Sequence, residues 1–168
     1  MPESSVCRDC GAQLPSVPLC YGADAPWRTL GVSDSEFDKR VDLTDGQCVV
    51  DEQHFFLRGH IEIPIIGSKD VFAWSVWCSV SEKSFLQACD RWLEPGRVND
   101  PPYFAWLMTS LPVYPDTTHL KASIQSREVG RVPLITIEPT EHPLALEQHH
   151  GIPRARVEEI AHLILHGG

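Results

Sequence analysis

No apolar run reaches the length of about 18 residues that a membrane-spanning helix needs. The opening MPESSVCRDC lacks the basic start and apolar stretch of a signal peptide, so the expected compartment is the cytoplasm. A GxSxG elbow, a Walker loop, a GxGxxG fingerprint and an HExxH helix are all missing, so no ready-made catalytic or nucleotide site is encoded. Basic residues are few, 14 against 23 acidic, for a net charge of −9. That balance argues against a nucleic-acid backbone as partner and favours a basic protein surface. Repeats and low-complexity stretches are also absent. What remains is a globular composition, 42% hydrophobic and 22% charged over 168 residues. It suffices for one domain whose core needs no disulfide framework.

Six cysteines are present, at positions 7, 10, 20, 48, 78 and 89. With no export signal they read as thiols or metal ligands rather than disulfides. Cys78 and Cys89 fall on apolar faces and read as small core hydrophobes. Cys7-Arg8-Asp9-Cys10-Gly11 is a CxxCG knuckle, in which two thiolates three residues apart can hold one tetrahedral ion. A second CxxC is lacking, so further ligands would have to come from elsewhere: Cys20, Cys48 or a histidine.

Residues 1–32, with four prolines and little periodicity, read as an irregular segment attached to an α+β core over 33–168. Ser33-Asp34-Ser35-Glu36 fits a capping box before a short helix over 34–41. A strand over 46–51 follows. The pattern then turns to period two. Over 53–65, Phe55, Leu57, Ile61, Ile63 and Ile65 face one way, and His54, Arg58, His60 and Glu62 the other. Over 70–80, Phe72, Trp74, Val76, Cys78 and Val80 share a face, which leaves Trp77 on the opposite one. Ser81 caps a helix over 82–94, and residues 95–102 read as a loop. Residues 103–109 read as a buried strand, with a short helix as the alternative. Strands over 117–127 and 131–138 are joined at Val129-Gly130. Helices over 143–149 and 153–166 open at Pro143 and Pro153. Strands and helices do not alternate as βαβ, so the expected fold is an antiparallel sheet with helices packed on one face.

The strings DGQCVVD (45–51), FFLRGHIEIPI (55–65), FAWSVWCSVSEKSF (72–85), PPYFAWL (101–107), LPVYPDT (111–117) and EPTEHPLALEQHHGI (138–152), with the early CxxCG, closely resemble a bacterial family of unknown function, domain of unknown function 2199. Two departures are a serine and an alanine, Ser75 and Ala105, where the pattern usually has glycine. A third is that Lys121–Arg127 stands where it has a histidine-bearing strand. The resemblance implies no activity. It does match Cys7, Cys10 and Cys48 to cysteine positions of the pattern, and it places His142 in a matched motif. On that basis the expected metal site is a structural zinc on Cys7, Cys10, Cys48 and His142, with His54 as the rival fourth ligand. Such a closed Cys₃His set would pin the N-terminal segment to the sheet.

Arg58, His60, Glu62 and Trp77 on one strand-pair face form the candidate partner-binding surface, because arginine and tryptophan carry binding energy at desolvated contacts. The expected role is binding of a protein partner, in its concrete form an immunity-type inhibitor of a basic toxin domain, with no catalytic residues. The alternative is a metal-assisted hydrolase using the Glu and His residues of 138–150, among them Glu138, Glu141, His142, Glu147, His149 and His150.

Overall fold

The expected alternation in the two central strands is present without a break. Strand β6 (His54–Pro64) and strand β7 (Val71–Val80) pair antiparallel over ten positions, from Phe55↔Val80 to Pro64↔Val71. Leu57, Ile61 and Ile63 of β6 and Phe72, Trp74, Val76 and Cys78 of β7 are buried on the shared inner face. The computed structural model describes residues 18–166, together with the antiparallel strand pair β1 (Ser5–Val6) and β2 (Gln13–Leu14). The remaining strands are β3 (Cys20–Tyr21), β4 (Val41–Leu43), β5 (Gln47–Val50), β8 (Tyr103–Leu107), β9 (Lys121–Gln125) and β10 (Leu134–Ile137). Helices are α1 (Phe37–Arg40), α2 (Glu82–Asp90), α3 (Pro143–His150) and α4 (Arg154–His166), with a 3-10 turn at Pro95–Asn99.

The α+β class holds, but the sheet is not open. Strands β6 to β10 run as an antiparallel meander and then close, with β10 pairing back onto β6 to complete a five-stranded barrel. Closure has to be parallel, because the first and fifth strands of a meander point the same way. Strands β5 and β4 extend the sheet beyond β6, and β3 lies parallel to β7. The expected antiparallel sheet with helices packed on it is present, with the difference that the sheet closes on itself. Helices α2 (Phe85, Ala88), α3 (Leu144, Ala145) and α4 (Val157, Ile160) pack onto the interior cluster. α2 meets it where Phe85 lies 5.2 Å from Phe55, ring centroid to centroid.

The seam between β10 and β6 is short. Its ladder is the single pair Leu134↔His60, with the His60 amide donating to the Pro133 carbonyl at 2.9 Å. A Cβ on Gly59 would come within 2.7 Å of Ile135 and 2.9 Å of the Pro133 oxygen, so glycine is what lets β10 approach. Above this point the strands diverge and a side chain fills the gap. Gln148 of α3 accepts from the Ile137 amide at 2.7 Å and donates to the Ile135 carbonyl at 2.8 Å, as a neighbouring strand would. Ile152 then pairs with the end of β6, through Pro64 and Ile66.

Element ends deviate from expectation for local reasons. The Ser33–Glu36 contact forms, but residues 34–36 make a turn and helix starts at Phe37. Ser81 caps α2 as expected, accepting from the Ser84 amide, yet the helix stops at Asp90. There Arg91 turns to a two-pronged ion pair with Asp100. Strand β9 begins only at Lys121, because His119 has φ +68° and Thr117 is a buried loop anchor that donates to the Thr109 carbonyl. Buried Arg97 donates to the carbonyls of Trp92, Arg127 and Glu128 and so fixes the 126–133 loop.

Gly59→Ala is expected to lower stability by about 1–3 kcal/mol, the usual cost of overpacking a filled site. For a chain of this size that is a fall in Tm of several degrees, measurable by calorimetry.

Candidate functional site

The register brings the four expected partner-binding residues onto one outer face: Arg58 pairs with Trp77, His60 with Ser75 and Glu62 with Ala73. The chain itself then covers much of that face. Trp77 is only 4% exposed, with its indole N–H donating to the Ala23 carbonyl. It belongs to a second cluster with Val32, Val41, Cys48, Val50 and Phe56, against which Trp27, Leu30 and Phe37 pack. The expected exposed Trp–Arg patch is therefore corrected. Residues 23–37, read from the sequence as largely irregular, lie over the tryptophan. Arg58 is engaged within the chain too, donating to the Asp45 carbonyl at 2.5 Å and to Ser75 Oγ at 3.1 Å. Glu62 accepts from Arg127 at 2.7 Å. Burial, followed by the charges of Arg58 and Arg127, holds His60 below the usual imidazole pKa.

The exposed aromatics lie elsewhere on the outer surface. Tyr103, Ala105 and Leu107 of β8 point inward, so Phe104 and Trp106 point out, 55% and 39% exposed. Their rings meet edge to face at 5.2 Å, and the Lys121 ammonium lies 5.8 Å from the Trp106 ring centroid. The expected buried strand over 103–109 is thus a half-buried one that ends at Leu107. The signal was present as alternation of Tyr103, Ala105 and Leu107 with Phe104 and Trp106, but the apolar composition masked it.

Within 138–150, His142 and His149 are engaged with backbone groups and Glu147 with side chains of other elements. His142 is the N-cap of α3: Nδ1 accepts from the Leu144 amide at 3.1 Å while Nε2 meets the Asp116 carbonyl at 3.0 Å. His149 Nε2 contacts the Ile137 carbonyl at 2.7 Å. Glu147 accepts from the Tyr114 hydroxyl at 2.5 Å and pairs with Arg156 at 2.7 Å. Burial first, and the bond to Glu147 second, raise the Tyr114 pKa.

Of the expected zinc ligands, Cys7 and Cys10 lie outside the described residues. Cys48 is fully buried in the second cluster, and burial pushes its thiol up to about 11. His142 has both ring nitrogens engaged, Nδ1 in capping α3 and Nε2 with the Asp116 carbonyl. Among the described residues, no three His, Cys, Asp or Glu side chains cluster as a metal site.

A pocket of about 250 Å³ opens beside β4, lined by Asp38, Asp42, Asp51 and Glu52 with Lys39, Arg40 and Val41. Arg40 is tied to Asp51 by two 2.7 Å bonds and to Glu36 by a third, which holds the Asp51 carboxyl below the ordinary range.

Exposure divides the cysteines. Cys20 is exposed, whereas Cys48 and Cys78 are buried with thiol pKa values raised by desolvation. Iodoacetamide at pH 8, read by peptide mass spectrometry, should modify Cys20 in the native protein. It should reach Cys48 and Cys78 only after denaturation.

No helix among the described residues is long and apolar enough to cross a membrane. Neither the curated proteins nor the solved structures yield a match to the chain. A family model does: it matches residues 6–152, and the chain belongs to the family described as an uncharacterized protein conserved in bacteria (DUF2199).

Proposed function

We propose that this protein acts by stoichiometric binding of a basic protein, with an immunity-type inhibitor of a toxin domain as the concrete form, in the cytoplasm. The observation that carries the reading is the Phe104–Trp106 pair, two large aromatics left exposed side by side on a rigid barrel strand. Aromatic side chains of this kind are the usual anchors of protein contacts. The partner's sign comes from the charge of −9, with the acidic pocket beside β4 as a local source of field. The half-covered Arg58, His60 and Glu62 face contributes at its rim rather than as the anchor. The same reading keeps the CxxCG segment as a structural zinc knuckle. Metal analysis of protein purified without added zinc should then return one equivalent, and metal-free protein would remove the zinc from it.

The hydrolase alternative is disfavoured by the capping of His142 and the pairing of Glu147. The test is quantitative co-purification from native cells with wild type and with Phe104→Ser/Trp106→Ala. A basic protein recovered in equal amount by wild type, and lost with the double variant, supports the reading. Its association should slow as salt rises. Turnover of a substrate panel that vanishes in folded His142→Ala would overturn it in favour of the hydrolase.

A further inference from the structure

We propose that His162 and His166 of α4 form a two-imidazole chelate for one divalent transition-metal ion of the zinc class. Of the chain's eight histidines, only these two stand four residues apart. On a helix that spacing puts both side chains on one face, one turn apart. The rings do meet: their centroids are 4.7 Å apart and their planes are inclined at 53°. With Zn–N bonds of about 2.0–2.1 Å, two imidazoles on one ion at a bond angle of about 90–110° hold their centroids about 4.5–5.2 Å apart. The folded pair already has the separation that one shared ion requires, so chelation needs no movement of the helix.

Ligand chemistry and local field agree on the kind of ion. Neutral imidazole suits zinc, nickel and copper, whereas magnesium and calcium take oxygen donors. His166 lies in the last turn of α4, where the helix dipole favours positive charge. Glu158, exposed and four residues before His162 on the same stripe, adds negative charge nearby. Among the described residues no third His, Cys, Asp or Glu completes a closed set, so the ion would keep positions open to water or another donor. The same end of the helix has the least packing. Helix α4 buries Val157, Ile160 and Ala161, and Leu163, Ile164 and Leu165 beyond them are exposed. An ion held across residues 162 and 166 ties the final turn together, which links metal binding to order at the helix end. The pair shares no residue with the CxxCG knuckle or the aromatic face, and its chelation depends on neither.

The experiment titrates full-length Cys7→Ser/Cys10→Ser protein with Zn²⁺ and, separately, with Mg²⁺, following the histidine ring C–H signals by NMR. That background removes the knuckle thiolates. The expected result is a saturable shift of the His162 and His166 signals together at one equivalent of Zn²⁺, and no shift with Mg²⁺. His162→Asn and His166→Asn should each weaken binding at least about tenfold, because the chelate becomes a single ligand. With free Zn²⁺ at about 100 times its Kd, amide exchange over residues 163–166 should slow by up to about a hundredfold. If His162→Asn, which replaces a half-buried ring, does not fold, the exposed His166→Asn decides. If the cysteine variant does not fold, wild type loaded with one equivalent of zinc takes its place and the second equivalent is read. No saturable shift, a response in one ring only, an equal response to Mg²⁺, or unchanged affinity in His166→Asn would overturn the site. A shift of both rings in the cysteine variant, with a wild type that purifies without zinc, would overturn the knuckle and leave the histidine pair standing.

Discussion

The His60 amide reaches the Pro133 carbonyl because Gly59, its neighbour on the inner face, has no side chain to hold β10 away. On that approach depends the conversion of a meander into a barrel. The ladder at the seam is one pair long, against ten between β6 and β7. A parallel junction this short would leave the upper edge of β10 with unpaired amide and carbonyl groups, which is costly in a buried setting. Gln148 satisfies two of them with one side-chain amide, and Ile152 does the same service for the end of β6. Gln148, His149 and Ile152 of the segment 138–152 therefore act as a seal.

Closure also decides which residues are free to meet another molecule. Inward positions are filled by Ile61, Ile63, Phe72, Trp74, Ile135 and Ile137. Outward positions divide into two kinds. Near β4 and β5 the outer face acquires a second apolar cluster around Trp77 and Phe56, roofed by Trp27, Leu30 and Phe37. On β8 none of the described residues roofs Phe104 and Trp106, which remain among their largest exposed apolar groups. An acidic molecule with a bare aromatic pair is suited to a partner that brings positive charge and apolar surface together.

Much of the barrel wall was legible in the sequence, since strict alternation in 53–65 and 70–80 assigns the inner residues correctly. The closure was not, because period two reports which face a residue takes and is silent on which strands become neighbours. Gly59 in the middle of a strong strand pattern was the available clue, as an interior glycine often marks a close backbone approach. Trp77 was assigned to the correct face, but its burial depends on residues 23–37, whose side chains pack without periodicity. His142 looked like a ligand because its motif is distinctive. Its distinctiveness has a local cause in capping α3, ahead of Pro143, which cannot donate a backbone N–H. Gln148 carried no signal of its own, for a strand-like role played by a helical side chain has no sequence period.

The central claim is that the sheet is closed at Gly59–His60 and sealed by Gln148, and native-state amide hydrogen exchange tests it directly. In a closed barrel the amides of His60 and Ile137 are hydrogen-bonded, to Pro133 and Gln148. Both should exchange with protection approaching that of the β6–β7 ladder amides, reporting opening of the whole barrel. Exchange of His60 and Ile137 at the rate of a free strand edge, with the β6–β7 ladder still protected, would show an open sheet and contradict the account.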